Sequence, residues 1–140
     1  MSTRYFGKAI RRGEDRPLVT GTARFVDDIE LPGTLEAAFV RSPHGHARIL
    51  GIDTSMAQEM PGVVAVYTYA DLRPHLTADR LPLQLRGSKL PPDCTQTILA
   101  RDEVCYAGEA VAVVVASDRY RAEDAAAMGM GDYDLLPAVS

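Results

Sequence analysis

Two histidines, His44 and His46, stand two residues apart in the stretch SPHGHAR. In a loop that spacing lets both imidazoles reach one metal ion, and in a strand it puts both rings on the same side. The sequence sets no third or fourth ligand beside them. Asp27 and Asp28, with Glu30 close behind, could form an acid-base pair. Paired carboxylates do such work only in a cleft that perturbs their pKa values, and an exposed acidic turn is the commoner form of the pattern. The run RRGEDR, residues 11–16, reads as a solvated, self-neutralising stretch, or more sharply as a docking surface for a neighbouring subunit. Cys94 and Cys105 are the only cysteines. They are too few for a disulfide framework or a zinc ribbon and cannot supply the four thiolates an iron-sulfur cluster usually takes, so both are expected to be reduced and structural. No GxGxxG, P-loop, GxSxG or HExxH pattern occurs, which removes the usual cofactor and nucleophile signatures. On the residues, no catalytic, cofactor-binding or metal-binding side chain is assigned.

The elements that position these groups belong to one small domain. The 140 residues, 46% of them hydrophobic, are enough for a single core. The net charge of −4 is spread along the chain with no basic block to track a phosphate backbone, so nucleic acid is not an expected partner. The N-terminus lacks the apolar stretch of a signal peptide, and no apolar run approaches the roughly 18 residues of a membrane span. A soluble, cytoplasmic protein is expected.

Residues 1–33 show neither helical nor strand periodicity and are punctuated by glycine and proline, which predicts an extended arm ahead of a domain over residues 34–140. LEAAFVRS and HARILGID, either side of the broken turn SPHG, predict a strand pair. Asp53 or Thr54 can cap a short helix through Met60, which Pro61 and Gly62 stop, and VVAVYT is the next strand. Residues 73–96 carry four prolines and little period, and read as a partner-facing or mobile loop. EAVAVVVAS is apolar enough to be a central strand buried on both faces. Asp118 stands where an N-cap belongs for the helix RYRAEDAAAM, with Tyr120, Ala127 and the stem of Glu123 along one side. GMGDYD should follow as a strand weakened by Gly129 and Gly131.

This order, strand, strand, helix, strand, long loop, strand, helix, strand, together with LVTGTARFVDDIELPG, LEAAFVRSPHGHARILGIDTS, PGVVAVYTYADL, CYAGEAVAVVVASDRY and AEDAAAMGMGDYDLLPAV, resembles the α/β-hammerhead domain of the aldehyde oxidase and xanthine dehydrogenase family. These are the large subunits of molybdenum hydroxylases, including carbon monoxide dehydrogenase-like members. The resemblance implies an α+β fold with a mixed sheet and two main helices. It places His46 in an Ala-His-Ala-type stretch opening the second strand, where a structural hydrogen bond is the simpler role. Two departures stand out: Gly129 and Gly131 replace alternating valines, and Leu135 replaces a proline, so the last strand should be weaker than in relatives.

By that resemblance the parent complex would hold a molybdopterin cofactor, [2Fe-2S] clusters and FAD, and would hydroxylate an aldehyde, a purine or another N-heterocycle, or oxidise carbon monoxide. This chain would pack against the molybdopterin-binding domain and the iron-sulfur subunit without being catalytic. The alternative is a free-standing small interaction or binding protein that retains the fold. The core is expected around Val111, Val113 and Val115 or their neighbours on the opposite face, with Val64, Val66, Phe39 and Ile49 nearby. The arm over residues 18–35 and the leucines Leu81, Leu83, Leu85 and Leu90 should be interface, giving self-association or mobility across residues 75–95 in the isolated chain.

Overall fold

A computed structural model describes residues 7–29, 31–81 and 95–138. The chain divides into two units, Met1–Thr34 and Leu35–Ser140. The first contains a short helix, α1 (Asp15–Val19), and a 3-10 turn, Val26–Asp28. Neither was expected from the arm's sequence, because one turn of helix is too short to show a period. Pro17 is tolerated there because an N–H in the first turn has no partner within the helix. The turn closes through Leu18 N–H to the Glu14 carbonyl and Thr20 N–H to that of Arg16.

The second unit runs β1 (Glu36–Arg41), β2 (Ala47–Ile52), α2 (Ser55–Gln58), β3 (Val63–Thr68), α3 (Tyr69–Leu72), β4 (Glu103–Val104), β5 (Ala110–Ala116), α4 (Arg119–Ala126) and β6 (Gly131–Leu135). The strands form two three-stranded sheets, β1-β5-β3 and β4-β2-β6, and every pairing is antiparallel. The main strands and helices fall where the sequence put them, but β1 and β2 are not a pair, and two antiparallel sheets replace the single mixed one. The cause is local. Beyond β1, Ser42 N–H donates to the Glu109 carbonyl and Gly108 N–H donates to that of Ser42. The chain therefore stays tied to the approach to β5 until Pro43 breaks the ladder, and β2 begins in the other sheet.

β5 is central to the first sheet, and its buried residues are Val111, Ala112, Val114 and Ala116. Val113 and Val115 are only half-buried, so the inner face is the one carrying Ala112, Val114 and Ala116, and β5 is not fully buried on both sides. Val40, Val66, Ala112 and Val114 join Ala47 and Val104 of the second sheet, Ala57 of α2 and Ala125 of α4 in one core. Ile49 packs at its margin. Phe39 and Val64, expected in the core, are 48% and 60% exposed. Strand alternation accounts for Phe39, whose neighbour Val40 takes the inner position, and a bulge between Val63 and Ala65 turns Val64 outward. On α4 the buried residues are Ala122 and Ala125, while Tyr120 is 79% exposed and Ala127 and Glu123 are exposed as well. The helix meets the sheet through methyl groups, not through its large side chains.

Side-chain oxygens begin each of the helices of this unit. Asp53 Oδ1 accepts from Ser55 N–H at 3.0 Å and Ser55 Oγ at 2.6 Å at the start of α2, and Asp118 Oδ1 accepts from Arg121 N–H at 3.0 Å. α3, missed in the sequence, has a capping box: Thr68 N–H and Oγ1 both donate to Asp71 Oδ2, at 2.8 and 2.7 Å. Thr-x-x-Asp after the strand was the available signal. α2, expected through Met60, ends at Gln58, and Gly62, with φ +88°, turns the chain into β3, the Arg121 side chain lying where a β-carbon would go. After α3 and a 3-10 turn, Arg73–His75, the chain is closed into a stem: Leu81 N–H donates to the Gln96 carbonyl at 2.9 Å, and Arg80 to that of Thr95. The expected leucines Leu83, Leu85 and Leu90, and Cys94, lie outside the described residues.

Val114→Ala should cost about 2 kcal/mol in urea unfolding, and Val113→Ala about half as much, because only the first empties a sealed site. The Thr68 bonds hold the Asp71 carboxyl below its ordinary value of 3.8. A depressed folded-state pKa contributes stability that is present above the unfolded value and lost as pH falls through the folded one. Asp71→Asn should therefore lower Tm at neutral pH, with the gap to the parent protein closing below about pH 3.8. A gap of the same size well below pH 3.8 would mean that the ionised Asp71 carboxylate is not the source of the stabilisation.

Candidate functional site

The corner where β2 begins gathers His46, Glu103, His44, Tyr133 and Ser42. His46 opens β2, with Nδ1 2.8 Å from the Pro137 carbonyl and Nε2 3.7 Å from Glu103 Oε2 on β4. Its backbone carbonyl accepts from Leu136 N–H at 3.0 Å. His44 turns elsewhere: its ring meets that of Tyr133 edge-on, centroids 5.1 Å apart at 71°. The two imidazoles are engaged separately, and among the described residues no three His, Cys, Asp or Glu side chains converge as metal ligands do. Beneath them Ser42, 2% exposed, receives His44 N–H on Oγ at 3.0 Å. Burial pushes the Tyr133 phenol upward, offset in part by a hydrogen bond with Ser42.

Tyr133, Ser42, Glu103 and Glu109 were not singled out in the sequence. The usable signal was Gly131 two residues before Tyr133: on a strand these share a face, and the tyrosine ring lies over the glycine where a β-carbon would stand. Gly131 thus gives the Tyr133 ring its place, and β6 pairs with β2 along Gly131, Asp132, Tyr133, Asp134 and Leu135.

Cys105 is a free thiol and is exposed, not part of the core. Its pKa is raised by partial burial and by the nearby carboxylates of Glu109 and Glu103, so it is held as the protonated, less reactive form. Glu109 is occupied in accepting from Cys105 N–H at 2.6 Å. Asp28 receives Phe25 N–H at 2.8 Å and closes its 3-10 turn, with Asp27 exposed beside it, while Glu30 lies outside the described residues. In the run over residues 11–16, Arg12 pairs with Glu14 at 3.5 Å, both about 70% exposed, a solvated contact worth little. An open groove of ≈ 570 Å³ lies between residues 51–53 and 129–132, but its Asp53 carboxylate is already used by Ser55. No helix among the described residues is long and apolar enough to cross a membrane.

Residues 20–137 match the family described as aldehyde oxidase and xanthine dehydrogenase, a/b hammerhead domain. The chain belongs to that family. It is 45% identical over 119 residues to the nicotine 6-hydroxylase large subunit of Paenarthrobacter nicotinovorans, covering 85% of this chain and 14% of that one. It is 45% identical over 129 residues to the carbon monoxide dehydrogenase large chain of Afipia carboxidovorans, covering 92% and 15%. Among solved structures, quinoline 2-oxidoreductase from Pseudomonas putida 86 superposes with a TM-score of 0.79 at 41% identity, over 96% of this chain and 17% of that one. The hammerhead fold expected from the sequence is therefore the fold present, and the chain spans about a seventh of the relatives it matches.

In this hammerhead domain Gly131→Ala should lower stability by about 1 kcal/mol or more, since the tyrosine ring must leave its place. Adding Tyr133→Leu should recover part of that loss. Strict additivity in the double-mutant cycle would show that the ring and the glycine do not interact.

Proposed function

We propose that this chain is a structural and assembly domain of a molybdopterin-dependent hydroxylase and carries none of the reacting groups itself. The observation that supports this is the outer face of the first sheet. Phe39 of β1 and Tyr67 of β3 lie opposite Val113 of β5, and Ala37 and Ala65 lie opposite Val115 in the next row. Phe39 and Tyr67 are 48% and 41% exposed, and Val113 and Val115 are half-buried. An apolar, aromatic surface of this kind on the central strand is what a covered interface looks like before its partner is in place. Arg41, whose guanidinium lies 5.7 Å from the Phe39 ring, forms its polar rim.

The donor chemistry points the same way. Two cysteines do not make the thiolate set of an iron-sulfur cluster, and the closely spaced pair is engaged separately, His46 with Pro137 and Glu103 and His44 with Tyr133. No step of a hydroxylation is assigned to residues of this chain. The partners proposed are the molybdopterin-binding part of the enzyme, seated on the apolar face, and its iron-sulfur subunit, with FAD and [2Fe-2S] clusters held elsewhere in the complex. The names of the relatives, a large subunit and a large chain, support membership of a larger assembly.

Co-expression with the molybdopterin-binding portion of such an enzyme tests the reading. The parent chain should co-purify with it, and Phe39→Asp with Tyr67→Asp should reduce recovery about tenfold or more while circular dichroism stays unchanged. Equal recovery would remove the face as the interface. The chain alone should show no turnover of aldehydes, purines or carbon monoxide with an artificial electron acceptor. Stoichiometric molybdenum in the pure chain would overturn the assignment.

A further inference from the structure

We infer that the apolar face on which the proposed assembly rests holds a seat for one bulky apolar side chain of the molybdopterin-binding part, over Val115 and between Ala37 and Ala65, with a carboxylate of the same partner set against Arg41. The inference depends on that assembly reading and gives its face a shape. Successive side chains on one face of a strand stand about 7 Å apart, and neighbouring strands about 4.8 Å apart. In the row through Val113 the flanking residues are Phe39 and Tyr67, and in the row through Val115 they are Ala37 and Ala65. Two aromatic rings therefore stand beside two methyl groups across the same three strands. The step between the rows leaves a hollow floored by Val115 and backed by the rings. Its span from β1 to β3 is two strand spacings, about 10 Å, which suits one side chain of leucine or phenylalanine size. Ala37 is exposed and Val115 and Ala65 are half-buried, so the floor is open to a partner. In the other direction along β5, Val111 is fully buried, and the open face ends before it.

The rim fixes the polar chemistry of the partner. Arg41, beyond Phe39 on β1, is the charged residue that the three strands bring to this side. Its guanidinium lies 5.7 Å from the Phe39 ring and donates to the Gly108 carbonyl at 2.8 Å. Neither contact neutralises it, and among the described residues no carboxylate pairs with it. A guanidinium carries more N–H donors than these contacts use, and the remainder suit an aspartate or glutamate that the partner brings. A second copy of this chain is the poorer occupant. Face on face it would add another Arg41 and, from these strands, no carboxylate to meet it.

The test fills the seat without making it polar. Ala37→Phe sets a ring where the partner's side chain would go, and it enlarges the apolar area of the face. In co-expression with the molybdopterin-binding portion it should lower recovery of the complex about tenfold or more, because added hydrophobicity does not relieve a blocked fit. Ala37→Ser is polar but small, leaves the seat open, and should stay within about threefold of the parent. Arg41→Met should lower recovery at low salt and remove most of the sensitivity of the complex to salt between roughly 50 and 500 mM. Circular dichroism checks the fold of each variant. If Ala37→Phe is recovered like the parent while the Phe39→Asp, Tyr67→Asp pair is lost, the face is an interface without a seat, and only this inference falls. If that pair is recovered like the parent as well, the assembly reading falls with it. Sedimentation showing the parent chain alone as a dimer that Ala37→Phe disperses would give the seat to a second copy and overturn the choice of partner.

Discussion

The contact between α4 and the first sheet is made of alanine, and the rest of the second unit is arranged around the closeness this permits. Ala122 and Ala125 are the residues the helix buries, and β5 offers Ala112 and Ala116 among its buried positions. Methyl groups on both sides let helix and sheet come nearer than leucines would. The same closeness reaches the turn before β3, where Ser117 N–H bonds the Gly62 carbonyl and Arg121 lies against Gly62, a position a side chain could not share. Tyr120 is in solvent because helical spacing puts it on the face of α4 away from Ala122 and Ala125, even though its chemistry suggested the core.

How far the sequence could be read follows from which features are local. Asp118 as a cap and the apolar run of β5 are each specified by neighbours within a few residues and stand where expected, whereas α2 ends at Gln58, short of the expected stop at Pro61 and Gly62. Sheet membership is not local. LEAAFVRS and HARILGID have the periodicity of a hairpin, yet their partners are β5, β6 and β4, chosen by packing across the fold. The choice between the two faces of β5 was open for the same reason, since a run of valine and alanine satisfies either alternation. α1 and β4 were invisible because elements of five and two residues carry no period.

The candidate site was legible in the same partial way. His44 and His46 were noticed for their spacing, but that spacing says nothing of Tyr133 or Glu103, which arrive from strands far along the chain. Gly131, noticed only as a residue with no side chain to pack, is also the space its tyrosine fills. The aromatic row on the first sheet, Phe39 and Tyr67 either side of Val113, was not legible either, because it is assembled from three strands far apart in sequence.

The stem in which residues 80 and 81 meet residues 95 and 96 has a consequence for how this domain can vary. Once the two ends of a loop are fastened to each other, the free energy of closing it rises only with the logarithm of its length, about 0.6 kcal/mol for each doubling. The core on the inner side of the stem is then insulated from changes beyond it. Insertions and deletions between these four residues should cost the fold little, whereas a residue added between α4 and β6 falls in a short connection joining two packed elements. Length variation among relatives should therefore concentrate at this one position.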